Sequence, residues 1–561
     1  MTTWETAPRA ATGRPSPARR SLRSPRGRPV AAATLLAAAL LCLWALFLAA
    51  DAGDLAAQYA WTEFTSRYPD AAYNLSWYGG MHPASYSLIA PYLMGWLGVR
   101  TTGVLAGTVS AALAAGLLVR APLRRPMAPA LWTAVALWAN IASGRVTFAV
   151  GVAFGLAALG AVLPPARPTR SRTHTVPFRA GAPRPAAAFL LAVLATMSSP
   201  VAGLFLCVAA AALVLTGRHR EALTLMVGPV LVVGCTALVF PFHGIQPFDW
   251  WLALPLTASA AAVAALVPAE WRTVRRGAAV YAAGVALTWT VPSPVGSNVE
   301  RLSLLFAGTV LLAALLEAAP GGRRRTTLVV AFLAVAAWQV GKPVGDLITT
   351  VPSARAARST APLLGELHRL GADRGRIEVV PLRSHQEASG LAPYVNLARG
   401  WNRQADVARN PVFYQDRPLT ADAYHAWLRN WGVGYVVLPA AAPDDAAVDE
   451  AGIVAAGPPW LNEIWHDDGW RLFRVTDGVP LAEPPATVRR AGPATLTVEV
   501  PRAGPVLLRI PWSPWLGIEG ARGGDRGCLA ESGEWTVLHA AAPGTYLVGA
   551  RYGLTRGNPC A

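Results

Sequence analysis

Hydrophobic residues dominate the first 345 positions as a series of long apolar segments separated by short polar connections. Eleven segments are long enough, or nearly so, to cross a bilayer, because about 20 apolar residues span its hydrocarbon core as a helix. They lie at 30–50, 101–119, 127–143, 145–163, 186–199, 201–216, 222–241, 251–267, 277–291, 302–318 and 326–341. The pattern predicts an α-helical polytopic membrane protein with about eleven transmembrane helices in residues 29–345.

One further apolar segment, residues 83–98, is short and contains Pro91 and Gly95. Counting it as a span would invert every later connection. We expect it instead to lie in the outer leaflet as an interfacial or re-entrant helix. It then belongs to a large first external loop, residues 51–100.

The arginines fix the orientation of these segments. Hydrophobic residues make up 53% of the chain and charged residues 14%, which excludes a single soluble globule. Seven arginines precede residue 29, and this segment, 1–28, is predicted to be a disordered basic tail. With the tail in the cytoplasm, 23 arginines lie in the tail and the inner connections. The outer connections hold only Arg67, Arg100, Arg145 and Arg301.

This bias predicts a multi-pass plasma-membrane protein with a cytoplasmic N-terminus and, since eleven is odd, an extracytoplasmic C-terminal region. The net charge of +17 does not indicate a nucleic-acid partner. After residue 350 the chain holds 21 arginines and 21 acidic residues, so the excess positive charge belongs to the tail and the short loops.

The pattern changes after about residue 345. Segments 376–382 and 432–439 are typical of buried strands, and residues 420–431 predict a helix with Thr420 as its N-cap. From residue 485 onward short strands alternate with turn residues about every ten positions. We therefore predict an α/β region at 346–480 and a β-sandwich at 481–561.

Two cysteines, Cys528 and Cys560, lie in this C-terminal region. In an extracytoplasmic location they are expected either to form a disulfide or to remain two free thiols. Several tryptophans of the region fit either a carbohydrate-stacking surface or ordinary core packing. These are Trp401, Trp427, Trp465, Trp470, Trp512 and Trp515.

The candidate chemistry lies in the outer connections. The polar residues that the predicted topology places there are Asp51, Asp54, His82, Arg145, Asp249, Asn298, Glu300 and Arg301. An aspartate can accept a proton, and a guanidinium matches the oxygens of a phosphate. The alternatives are hydrated aspartates beyond a span, arginines that reach the headgroups, and a histidine that caps a helix.

The first external loop resembles that of the C-type integral membrane glycosyltransferases. The resemblance is carried by the acidic pair Asp51 and Asp54 directly after the first span and by the segment "MHPASYSLIAPYL" (81–93). Eleven spans followed by an external domain also fit this superfamily. It includes the polyprenyl-phosphate-sugar-dependent enzymes of actinobacteria.

The resemblance implies transfer of a sugar from a polyprenyl-phosphate donor to a cell-envelope glycan or lipid acceptor on the external face. Asp51 or Asp54 would act as the general base, and His82, Arg145, Asn298 and Arg301 would bind substrate or phosphate. Members of the superfamily differ in whether a divalent cation takes part, so the metal requirement stays open. The alternative function is a multi-span transporter or a lipid or polysaccharide flippase without transferase activity.

Overall fold

The computed structural model describes residues 27–49, 53–163, 183–522, 527–554 and 556–560. Most of the predicted tail and Asp51 therefore lie outside the described residues. The α-helices are α1 Gly27–Leu43, α2 Asp54–Arg67, α3 Pro83–Tyr86, α4 Ala90–Leu97, α5 Val99–Arg120, α6 Met127–Ala142, α7 Val146–Val162, α8 Pro183–Ser198, α9 Pro200–Leu215, α10 His219–Val239, α11 Trp250–Leu266, α12 Arg272–Thr290, α13 Glu300–Glu317, α14 Arg323–Ala356, α15 Ala361–Arg369, α16 Gln386–Leu391, α17 Arg403–Arg409, α18 Ala421–Trp431 and α19 Val448–Ala456.

Each of the eleven predicted apolar segments contains one of these helices. Five helical stretches are long and apolar enough to cross a membrane, namely Gly27–Leu48, Val99–Arg120, His219–Val239, Gly296–Glu317 and Arg323–Arg355. The helices in the other six segments have 16 to 19 residues. Residues 83–98 form only the four-residue α3 and the eight-residue α4.

The last helix of the bundle differs from the prediction. The apolar pattern ends near residue 341, yet α14 continues to Ala356. Lys342 and Asp346, four positions apart on this helix, form an ion pair of 2.5 Å. Such a pair stabilises the helix, which extends about four turns beyond the apolar segment.

The chain after residue 356 carries three β-sheets. Their strands are β1 Arg376–Val379, β2 Asn396–Leu397, β3 Val433–Pro439, β4 Leu461–His466, β5 Trp470–Val475, β6 Thr487–Ala491, β7 Thr495–Val500, β8 Gly504–Pro511, β9 Gly517–Arg522, β10 Cys528–Ser532, β11 Trp535–Ala540 and β12 Gly544–Gly549. The first sheet has the order β2-β1-β3-β5-β4 and is parallel from β2 to β3. The predicted helix is confirmed as α18, with the Thr420 side chain accepting from the Ala423 amide.

The other two sheets, β10-β11-β8 and β6-β7-β12-β9, enclose a common apolar cluster. Alternate residues of β7, Leu496, Val498 and Val500, are buried, as expected for strands with one face in a core. Cys528 and Cys560 form a disulfide with a Cα–Cα distance of 4.9 Å. This bond ties the C-terminal segment to the first strand of β10-β11-β8.

The segment Tyr73–Pro83 of the first external loop is built into the C-terminal region. The Leu397 amide donates to the Ser76 carbonyl, which joins the loop to the edge of the first sheet. The Leu75 amide donates to the Pro493 carbonyl in the second part of the region. The sequence placed these residues in a separate loop. In the structure their buried side chains connect the first sheet, in the part before residue 480, to the two sheets that follow it.

A buried ion network stabilises the first part of the region. The guanidinium of Arg399 lies 2.8 Å from the carboxylate of Asp406 and 2.8 Å from that of Glu450. It also stacks on the Phe413 ring at 4.0 Å. Burial raises the pKa of the adjacent Glu378 carboxyl well above its usual range. Arg399 is therefore the cation that offsets the buried acids of α17 and α19.

Replacing Arg399 with methionine should destabilise the protein strongly, because two carboxylates would stay buried without their cation. Losing one partner of a buried pair costs about 3–5 kcal/mol. The matched control is Arg489→Met, which removes an exposed pair with Glu499 and should cost less than about 1 kcal/mol. Thermal unfolding of the purified full-length variants checks this, and equal midpoints for the two would contradict it.

Candidate functional site

A cavity of about 1100 Å³ lies where the helix bundle meets the C-terminal region. Helices α9 and α10 line it with apolar side chains, namely Leu204, Cys207, Val230, Val233 and Ala237. Val230 and Val233 belong to the exposed apolar side chains of α10, with Leu223, Leu231 and Leu238. The remaining lining is polar and includes Asp54, Arg145, Asn298 and Arg301. The cavity therefore joins an exposed apolar helix surface to a group of charged side chains.

Asp54 is the first residue of α2 and lies between two arginines. Its Oδ2 atom is 3.6 Å from Arg145 Nε and 3.5 Å from Arg301 Nη2. These three residues, which the sequence places in separate connections, therefore lie together. Asp54 keeps 27% of its side chain exposed, so the carboxylate can be reached from the cavity.

Arg145 has a closer partner than Asp54. Its Nη2 atom donates to Glu300 Oε1 at 2.9 Å, and both side chains are more than nine-tenths buried. Because this contact is shorter and less exposed to solvent, Glu300 offsets most of the charge of Arg145. Asp54 is therefore the more weakly held acid, with contacts of 3.5 and 3.6 Å to its two cations.

Arg301 also has unused binding capacity. Its guanidinium lies 5.4 Å from the centre of the Phe148 ring, and its buried Nε atom has no hydrogen-bond partner among the described residues. Arg145 Nε and Glu300 Oε2 are likewise buried and without a hydrogen-bond partner among the described residues. Buried polar atoms are normally paired, so this group is suited to a polar ligand.

The C-terminal region fixes the backbone next to Asp54. The amide of Gly53 donates to the Ser384 carbonyl at 2.9 Å, and the Trp401 indole donates to the Gly53 carbonyl at 2.8 Å. Gly53 has a φ of +58°, which favours glycine directly before the helix. The position of the carboxylate thus depends on both halves of the chain.

A close backbone approach fixes the other side of α2. Gly144 has a φ of +80°, and a Cβ atom there would lie 2.5 Å from the Leu55 amide nitrogen. One turn further along α2, the Gln58 side chain accepts from the Thr147 hydroxyl and donates to that of Tyr86. These contacts seat the start of α2 on the start of α7.

Of the other predicted site residues, Asn298 lines the cavity, whereas His82 is not among the described lining residues. Burial lowers the pKa of His82 to about 4, so the ring is neutral. Its Nδ1 donates to the Ala72 carbonyl at 2.7 Å, and its Nε2 accepts from the Ser513 hydroxyl at 3.0 Å. His82 therefore attaches the loop to the C-terminal region. Asp51 lies outside the described residues.

Among the described residues, no group of three or more histidines, cysteines, aspartates or glutamates could hold a metal ion. Of the tryptophans named above, Trp427, Trp470 and Trp515 are buried in the core. Trp401 instead lines the cavity.

Sequence reasoning missed the contribution of the C-terminal region to the cavity. His385, Arg403 and Asp444 lie in loops or at helix ends that carry no recognisable motif. The sequence therefore offered no signal for them. The structure does offer one, because His385 has an unusual backbone conformation with a φ of +49°. Such residues are found preferentially at functional sites.

Comparison with known proteins covers only the end of the chain. The model of one family, a domain of unknown function (DUF8823), matches residues 483–561. This is the part built from the two sheets β10-β11-β8 and β6-β7-β12-β9. No curated protein and no solved structure matches the chain.

Replacing Gly144 with alanine should displace the start of α2. The new Cβ would meet backbone rather than a flexible side chain, and φ is unfavourable, so we expect a loss of at least about 1 kcal/mol. Gly116→Ala is the matched control, because that helical glycine has open space around it. Thermal unfolding measures both; a Gly144→Ala midpoint equal to that of the parent would contradict the close approach.

Proposed function

We propose that this protein is a membrane glycosyltransferase. It moves a sugar from a polyprenyl-phosphate donor to a cell-envelope acceptor on the external face of the plasma membrane. The main support is the position of Asp54, a reachable carboxylate between two arginines at a cavity that extends to an exposed apolar helix surface.

In this proposal all eleven long helices of the bundle cross the membrane. Large apolar side chains exposed along several of them support this placement, including Leu35, Phe47, Leu231, Leu238 and Val330. Trp96, Trp250, Trp251 and Trp289 are also exposed. In the predicted orientation all four lie at outer helix ends, where indoles favour the membrane interface.

The orientation puts the site on the outside. Asp54 follows the first span, Arg145 lies between α6 and α7, and Arg301 is the second residue of α13, each at a predicted outer end. The C-terminal region closes the cavity from the same side. A lipid-linked sugar would enter past α10, with its chain against the apolar lining and its phosphate near Arg301.

The chemistry follows from the charges. The acceptor oxygen attacks the anomeric carbon of the sugar, and the bond from that carbon to the phosphate oxygen breaks. The departing lipid phosphate gains one negative charge, which Arg301 stabilises through its unpaired Nε and its exposure to the cavity. Arg145 contributes less, because Glu300 already offsets its charge.

The proton of the attacking hydroxyl passes to Asp54. The carboxylate lies 3.5 and 3.6 Å from its two cations, so each ion pair is weak. Its side chain can therefore rotate toward an incoming hydroxyl. The hydrogen bonds of Gly53 to Ser384 and Trp401 hold the backbone next to Asp54 in place during the step. Among the residues that the structure describes, Asp54 is thus the general base; the role predicted for Asp51 stays a prediction.

Asp54→Asn should lower sugar transfer by about 10²–10⁴-fold, the usual contribution of a general base. Asp70→Asn is the matched control, since Asp70 is exposed in the same external loop, and its transfer rate should equal that of the parent. Mass spectrometry of envelope glycans and lipid-linked sugars from a deletion strain first identifies the donor. Transfer is then measured with membranes of matched protein content, and full activity of Asp54→Asn would exclude the proposed role.

A further inference from the structure

The wall of the cavity that faces the bundle belongs to the C-terminal region. Its lining residues there include His385, Trp401, Asn402, Arg403 and Gln404. This wall is directly connected to Asp54, because Ser384 and Trp401 both bond to Gly53. A molecule bound against it would therefore lie close to the carboxylate and opposite the apolar lining of α9 and α10.

The cations of this wall already have acidic partners. Arg403 forms an ion pair with Asp444, and Arg383 lies 3.5 Å from Asp445. On the opposite side, Arg301 keeps a buried nitrogen without a partner. An anionic ligand would thus gain little on the wall of the C-terminal region and more beside Arg301. The charge distribution therefore favours a neutral molecule on the wall of the C-terminal region.

His385 supplies a neutral polar group. Its side chain is 85% buried, with Nδ1 3.9 Å from Glu387 and without a hydrogen-bond partner among the described residues. Burial lowers the pKa of His385 to about 4, so the ring carries one donor and one acceptor at neutral pH. Because Nδ1 is buried, Nε2 is the ring nitrogen that a hydroxyl group in the cavity would use.

The neighbouring groups have the same character. Trp401 offers an aromatic surface in the same wall, and Gln404 and Gln246, the latter from the connection between α10 and α11, bring amides to the cavity that can bond to adjacent hydroxyls. The two amides are fixed by their own hydrogen bonds, because Gln246 Nε2 donates to the Ser297 hydroxyl at 3.1 Å and Gln404 Nε2 donates to the Pro294 carbonyl at 3.2 Å. Among the described residues their amide oxygens keep the capacity to accept from a hydroxyl. An aromatic surface with fixed amides and a neutral imidazole suits a polyhydroxylated ligand.

We propose that the wall formed by His385, Trp401, Gln404 and Gln246 is the acceptor subsite and that it binds a neutral saccharide. This deepens the proposed function and rests on it: the acceptor hydroxyl belongs to a glycan rather than to an anionic lipid headgroup. The saccharide lies on the polar wall, while the lipid-linked donor occupies the apolar side.

The test is glycan retention by the full-length protein in lipid nanodiscs. The probes are arrayed neutral oligosaccharides and their phosphorylated or uronic acid counterparts. We expect retention of neutral glycans, reduced at least tenfold in His385→Gly and Trp401→Leu. His385→Gly removes the ring at a positive φ where glycine is favoured, so folding should be preserved. His466→Ala, an exposed histidine of the same region, should retain glycans like the parent.

No retention of any glycan, retention confined to anionic glycans, or equal retention by parent and His385→Gly would each overturn the subsite. Asp54→Asn separates this result from the proposed function. We expect that variant to retain neutral glycans fully while its sugar transfer falls by about 10²–10⁴-fold. If Asp54→Asn transfers sugar normally, the general base is wrong, whatever the array shows. If transfer is lost but the subsite variants retain glycans normally, the function stands and the saccharide subsite is wrong.

Discussion

Two arginines and two acids meet where α2, α7 and α13 come together, and their charges must offset one another because the site is largely buried. A buried charge that loses its partner costs about 3–5 kcal/mol. Arg145 and Glu300 meet this requirement at 2.9 Å. That close pair leaves Asp54 and Arg301 in a weaker contact at 3.5 Å. The same balance that makes the bundle stable thus leaves one carboxylate and one guanidinium available for a substrate.

The arrangement depends on segments far apart in the chain. Asp54 is attached on one side to Gly144 by backbone packing and on the other to Ser384 and Trp401 by hydrogen bonds. The loop residues that follow α2 are buried between the two parts of the C-terminal region. That region therefore does more than cover the bundle: it sets the position of the carboxylate and forms the second wall of the cavity.

Much of this could be predicted from sequence. Apolar segments gave the helix positions, and arginine asymmetry placed Asp54, Arg145 and Arg301 at one end of the bundle. Strand and capping patterns located β1, β3 and α18. His82 could not be assigned in this way, because its partners Ala72 and Ser513 are set by tertiary contacts. The roles of His385 and Trp401 were hidden for the same reason: neither has a spacing that links it to residue 54.

The most direct measurement is an electron cryomicroscopy structure of the protein in lipid nanodiscs with polyprenyl phosphate, the product expected to leave the site. The account predicts a lipid belt around the eleven helices, the phosphate within hydrogen-bonding distance of Arg301, and the lipid chain along α10. A phosphate bound away from Arg301, with the cavity beside Asp54 empty, would contradict the account.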